Sequence, residues 1–171
     1  DAGLFSSDFR GPERTAQMLL QVAGRAGRAD KPGQVLIQSH NPEHPVLTAL
    51  QQDRYPQLAG QLLAERKLLG LPPFGHLALI RCDSNDPELP QRLLHALRQA
   101  CQQPDPEASW VGPLAPPMQR RAGRHRFQLL LRHRQRAALH QLLGQCQQWL
   151  QASPQARRAR WSIDVDPQDL I

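Results

Sequence analysis

The spacing of apolar side chains divides this chain into two stretches. From His76 onward it is regular. HLALIRC (His76 to Cys82) alternates with the two-residue period of a strand, and PELPQRLLHALRQAC then carries Leu89, Leu93, Leu97 and Cys101 on one helical stripe. SWVGPLA predicts a short strand leading into a proline-rich loop. RHRFQLLLRH (Arg124 to His133) alternates again, and QRAALHQLLGQCQQWLQ sets Leu139, Leu142, Leu143, Cys146, Trp149 and Leu150 at helical spacing. RARWSIDV (Arg158 to Val165) closes the series as a last strand. The order βαββαβ is the split-βαβ, ferredoxin-like plan, with both helices on one face of a four-stranded antiparallel sheet.

Before His76 the pattern is mixed. DAGLFSSDFRGPERTAQMLLQVAGRAGR predicts a loop and then a helix: Ser6, Ser7 and Asp8 supply capping chemistry, Pro12 and Glu13 suit a first turn, and Ala16, Leu19, Leu20 and Ala23 recur at helical spacing. Gly24 and Gly27 are expected to break that helix. KPGQVLIQ predicts a turn and a short strand, Val35 to Ile37. NPEHPVLTALQQ and YPQLAGQLLAERKLLG predict two helices, the second with Leu58, Leu62, Leu63 and Leu69 along one side. LPPFG, Leu71 to Gly75, marks the expected boundary between a first domain (1–70) and a second (71–171).

Charge sharpens this division. The net charge is +6, yet between Ala108 and Ile163 there is no Asp or Glu and there are ten arginines. If Phe127, Leu129 and Leu131 face the helices, Arg124, Arg126, Gln128 and Arg132 face away. If Trp161, Ile163 and Val165 are core, Arg158 and Arg160 are outside. An arginine-studded sheet face results, extended into a loop by Arg120 and Arg121. With no acids in its own stretch, such a face attracts phosphate without regard to sequence, or takes an acidic protein tail. Few exposed aromatics accompany it: Trp110, Trp149 and Trp161 sit at core positions, so stacking on bases is not indicated.

Other chemistry is thin. Cys82, Cys101 and Cys146 have no CxxC spacing, which argues against a zinc site or disulfide framework; Cys101 and Cys146 fall on apolar helical faces as buried thiols. His40 and His44 stand four apart, but Pro42 interrupts any helix between them and only Glu43 is close, so no metal site is expected. No run of 18 apolar residues and no signal peptide appears, so the chain is read as soluble and intracellular, with no membrane partner. The first residue is Asp, and the chain reads as cut from something longer.

QVAGRAGR, Gln21 to Arg28, is the one compact motif. Two arginines three apart, with glycines that let the backbone approach closely, can aim both guanidiniums at one anion, and Gln21 lies one helical turn before Arg25. Such arginines, directed at a triphosphate held by another lobe, stabilise charge on the transferred phosphoryl group, an effect on the order of 10³–10⁵ in rate. The stretch resembles motif VI of the superfamily 2 helicases. Taken in order with LPPFGHLALIR, RRAGRHRFQLLLR and WSIDVDPQDLI, it is similar along its whole length to the C-terminal third of the bacterial primosomal replication-restart helicases, the primosomal protein N′ family. Gly11, His125 and Phe127 depart from that family, standing where Ala, Tyr and Trp are expected.

The resemblance implies the C-terminal end of a RecA-like motor lobe followed by the ferredoxin-like domain, within an ATP-dependent 3′ to 5′ DNA helicase. That helicase would recognise stalled forks and D-loops and initiate replication restart by primosome assembly in the bacterial cytoplasm. Gln21, Arg25 and Arg28 would face the ATP γ-phosphate, with Gly24 and Gly27 shaping the approach. Implied partners are branched and single-stranded DNA, the acidic tail of single-stranded DNA-binding protein, and primosome proteins. Arg120, Arg121, Arg124, Arg126, Arg132, Arg158 and Arg160 are the candidate contacts for DNA or that tail. ATP with Mg2+ would be bound mainly by upstream residues, and the family's zinc-binding cysteines would also lie upstream. This chain has no GxxxxGK[ST] loop and no DExH box, so on its own it is expected to be inactive. The rival reading is a binding module without catalysis, or another superfamily 2 repair helicase.

Overall fold

The computed structural model describes residues 1–6, 8–26 and 34–170. The chain forms two units, Asp1–Glu65 and 66–171. The first is helical, with α1 (Gly11–Ala26), α2 (Pro45–Gln51) and the larger part of α3 (Tyr55–Leu69). Its core is small: Leu4, Ala16, Val46, Leu47 and Leu58, with Leu19, Leu50, Tyr55 and Leu62 packed against them.

Helix α1 starts where its capping chemistry predicts. The Asp8 carbonyl accepts from Gly11 N–H at 2.8 Å, and its buried carboxylate accepts from Arg10 N–H at 3.0 Å with Arg14 3.7 Å away. Gly11 is sterically required. A Cβ there would stand 2.6 Å from the Gly3 carbonyl oxygen and from Ser6 Cβ, so the alanine expected at this position could enter only if the loop moved.

Two expectations fail in this unit. The helix does not break at Gly24; it runs on to Ala26, because a single glycine weakens a helix by only ~1 kcal/mol without ending it. Gly27 lies outside the described residues. Val35 to Ile37 form no strand, and Leu36 is 87% exposed. Among the described residues of this unit no second strand stands ready to pair with them, and an unpartnered strand leaves its N–H and C=O groups without a ladder.

The second unit follows the apolar pattern closely. Strands β1 (His76–Ser84), β2 (Ala108–Leu114), β4 (Arg124–His133) and β5 (Arg160–Val165) form an antiparallel sheet in the order β2-β4-β1-β5. Helices α4 (Leu89–Cys101) and α5 (Arg136–Ala152) are the two crossovers. This is an α+β architecture with the βαββαβ order read from the sequence. One sheet face presents Ala78, Ile80, Cys82, Phe127, Leu129 and Leu131 to Leu93, Leu94 and Leu97 of α4 and Leu139, Leu143, Cys146 and Leu150 of α5. Each such leucine contributes about 1.5–3 kcal/mol by leaving water. The three thiols are free and buried, and burial pushes Cys82 and Cys146 up to about 12.

Three local features depart from the sequence reading. Arg120–Arg121 is a short strand, β3, and not a loop; it pairs with the start of β4 through a two-residue turn, Ala122 (φ 49°) and Gly123 (φ 78°), the left-handed geometry that matches strand twist. Ala156–Arg158 is a 3-10 turn, so β5 begins at Arg160 and Arg158 is not a strand residue. In β2 the register shifts between Val111 and Leu114, where Gly112 has φ 111° and a Cβ would lie 2.8 Å from the Gln128 carbonyl oxygen.

Candidate functional site

In the first unit Gln21, Gly24 and Arg25 lie on the last turns of α1, all exposed. Gln21 and Arg25, four apart, share a helical face. The Arg25 side chain makes no hydrogen bond or ion pair among the described residues, and a Cβ at Gly24 would meet nothing within 4 Å. Arg28 and Gly27 lie outside the described residues. What the geometry offers is an unneutralised guanidinium at the end of a helix, beside an amide side chain, free to meet an anion supplied from outside this unit.

The two histidines four apart do something else. His44 Nδ1 accepts from Val46 N–H at 3.2 Å and so caps α2, while its ring meets Phe5 edge-on at 5.5 Å. The His40 N–H donates to Asp1 at 2.8 Å. Among the described residues no cluster of three or more His, Cys, Asp or Glu side chains could hold a metal ion.

In the second unit the sheet face away from the helices carries the arginines, as alternation predicts. Its charge is less one-sided than the sequence suggests. The stretch from Ala108 to Ile163 has no acid, but β1 lies between β4 and β5 and brings its own: Asp83 stands opposite Arg126 on one side and Arg160 on the other. Arg124 Nε donates to Asp83 Oδ2, and Arg124 Nη2 donates to the Asp83 carbonyl at 3.1 Å. Asp164 accepts from Arg81 at 2.7 Å. Two carboxylates therefore sit on a face that linear charge counting leaves purely basic.

The remaining arginines differ in how they are engaged. Arg132 Nη1 donates to the Leu69 carbonyl, and Arg126 Nη1 donates to the Met118 carbonyl at 3.3 Å. Arg120 and Arg121 are exposed on β3, and Arg158 is exposed in the 3-10 turn. Arg160 is exposed, and its side chain makes no hydrogen bond or ion pair among the described residues.

The same face is not all charge. Leu77 and Leu79 alternate away from the helices, yet both are buried. Residues 166–170 run along this side as a strap. Asp166 N–H donates to the Leu77 carbonyl at 2.8 Å, Pro167 is buried, Arg81 Nη2 donates to the Asp169 carbonyl at 3.0 Å and Gln128 Nε2 to the Leu170 carbonyl at 2.9 Å. On this side of the sheet lies a groove of about 210 Å³, lined across the three adjacent strands by Arg81–Asp83 of β1, Arg126–Gln128 of β4 and Arg160–Ser162 of β5, with the buried Pro116 beside them.

Arg81 and Asp83 were missed by the sequence reading. The signal was present: extending the alternation of HLALIRC through Asp83 puts both on the side of Arg126 and Arg160. The split-βαβ plan also places the first strand between the two arginine-bearing ones, as observed; what it does not give is the register that sets Asp83 opposite both Arg126 and Arg160.

At the far edge, His133 fixes a loop. Its Nδ1 accepts from Gln135 N–H at 2.8 Å, which assigns the ring proton to Nε2, 3.0 Å from Asp105. Asp105 is held below the usual carboxylate range by the Glu107 backbone N–H and then by the His133 side chain.

A family model described as Primosomal protein N C-terminal domain matches residues 67–168. Replication restart protein PriA of Haemophilus influenzae is 42% identical over 99% of this chain and 23% of its own length. The proteins of the same name from Synechocystis sp. and Bacillus subtilis are 38% identical over 78% of the chain and 30% identical over 98%, which is 16% and 21% of their own lengths. The chain thus spans less than a quarter of the length of these curated relatives. It belongs to the primosomal protein N family of replication restart proteins.

Proposed function

We propose that this chain is the C-terminal part of an ATP-dependent DNA helicase of replication restart. The first unit completes a RecA-like motor lobe, and the second is a ferredoxin-like accessory domain. The observation that carries the catalytic side is Arg25: exposed, one turn after Gln21, and without an internal partner among the described residues. A guanidinium in that state suits a phosphate bound by residues outside this chain. Bound ATP with Mg2+ would supply the phosphoryl group. Arg25 and Arg28 would stabilise its charge, and Gln21 would orient the attacking water. The first unit also leaves Met18 57% and Val22 54% exposed, apolar surface of the kind that further strands of a motor lobe would cover.

The second unit would contribute binding without catalysis. Arg120, Arg121, Arg126 and Arg160 offer positive charge to branched or single-stranded DNA, or to the acidic tail of single-stranded DNA-binding protein, while primosome assembly proceeds in the cytoplasm. Arg124, Arg132 and Arg158 remain in the proposed set, with the charge of Arg124 offset by Asp83. The test of the motor assignment uses the full-length protein that contains this chain. Arg25→Ala and Arg28→Ala should each lower DNA-stimulated ATP turnover on the order of 10³-fold. Undiminished turnover in both would leave the binding module as the whole function of this chain.

A further inference from the structure

The arginines of the sheet face divide into two groups once their partners are known. Arg124 is committed to Asp83, and Arg81 to Asp164 and the Asp169 carbonyl. Arg126 and Arg160 have no carboxylate of their own. Both stand in register with Asp83, one on either neighbouring strand, so their Cα atoms are separated by two strand spacings, roughly 10 Å. Since Arg124 balances Asp83 and Arg81 balances Asp164, the pair leaves two uncompensated positive charges across one groove.

We infer that this groove seats the phosphodiester backbone of a single nucleic-acid strand, bracketed by Arg126 and Arg160, with Arg81 fixed at one end by the strap. The inference rests on the reading that the arginine face meets nucleic acid, and it names where and in what form. The space, about 210 Å³, is on the scale of one short sugar–phosphate run and not of two paired strands. By alternation the side chains that the strands turn toward this groove are Arg81, Asp83, Arg126, Gln128, Arg160 and Ser162, all polar, which favours a sugar–phosphate run over an acidic peptide that must also bury apolar side chains. Gln128 can add a donor to sugar or phosphate oxygens, with its amide already oriented by the Leu170 carbonyl. No exposed aromatic platform is required, since the contact is to backbone and not to bases.

Arg81 is a positioning and binding residue in this scheme. Its guanidinium is held by two acceptors, which leaves the remaining N–H groups pointed by geometry and not by chance rotamers. The test is fluorescence anisotropy on the whole chain with labelled oligothymidylate, a blunt duplex of the same length and an aspartate-rich peptide, each across a range of salt.

The expected result is preferential binding of the oligothymidylate with a steep salt dependence. The double variant Arg126→Gln with Arg160→Gln should flatten the slope of log K against log salt by about 1.4, whereas Arg81→Gln, whose charge Asp164 already balances, should weaken binding with little change of slope. Arg157→Gln, outside the groove, should leave it unchanged, and Arg160→Lys should retain most of it. Thermal melts establish that each variant is folded. An unaltered slope in the folded double variant, with wild-type binding intact, overturns the groove while leaving the arginine face as a nucleic-acid surface. Failure of the wild-type chain to bind either strand or duplex overturns the underlying reading. Loss confined to the peptide overturns the strand in favour of a protein tail.

Discussion

Replacing Asp83 by Asn separates two roles that a single carboxylate plays on this face. Asp83 pairs with Arg124, the two side chains being 30% and 21% exposed, and it stands opposite Arg126 and Arg160. A part-buried, charge-assisted hydrogen bond of this kind stabilises the fold by about 1.5–3 kcal/mol. Losing it should lower the melting temperature of the second unit by about 4–8 °C for each kcal/mol. Binding should move the other way. A phosphate in the groove lies on the order of 6 Å from the Asp83 carboxylate, a repulsion of about 0.7 kcal/mol in water and larger near a protein surface. Removing that charge, and freeing Arg124 to contribute its own, should tighten oligothymidylate binding about three- to tenfold at low salt. The salt slope should steepen by up to about 0.7. Anisotropy and a thermal melt on the same preparation read both quantities. Weaker binding by a folded Asp83→Asn chain would refute the reasoning, because it would mean that the carboxylate serves the site by holding Arg124 in place rather than by diluting its charge.

Two further outcomes concern a buried leucine and an exposed carboxylate. Leu79→Ala, at a buried position on the arginine side of the sheet, should cost about 2–5 kcal/mol in urea unfolding; a loss below about 1 kcal/mol would mean that this face is not closed in solution. Asp105 has a lowered folded pKa, so its stabilising effect is present above the ordinary carboxylate range and disappears as pH falls through the lowered value. Asp105→Asn should therefore be less stable than wild type at neutral pH and equal to it in strong acid. A stability difference independent of pH would remove the linkage to Asp105 ionisation.

Much of the second unit was legible because its elements are local. A helix that must bury Leu93 and Leu97, or a strand that must bury Phe127, Leu129 and Leu131, writes its period into a dozen residues, and the structure returns those elements within a residue or two. The misses have equally local causes. Arg120–Arg121 carries no apolar signal from which a strand could be read, and its pairing depends on the left-handed turn at Ala122 and Gly123. Val35 to Ile37 has the composition of a strand but no neighbour among the described residues of its unit. Gly24 looked like a breaker, yet one glycine inside a supported helix does not outweigh the hydrogen bonds on either side.

Charge shows where linear reading stops. The sequence by itself determined that β4 and β5 would turn arginines to one side, because a two-residue period admits no other arrangement once the apolar set is buried. That Gln21 and Arg25 share a helical face was decided by the structure, in which α1 continues through Gly24 to Ala26. The predicted plan already sets β1 between the two basic strands; only the tertiary structure decided the register that puts Asp83 opposite Arg126 and Arg160 and pairs it with Arg124. Which guanidiniums are neutralised is fixed by distances across strands, and those arise from register and side-chain geometry, which no local window contains.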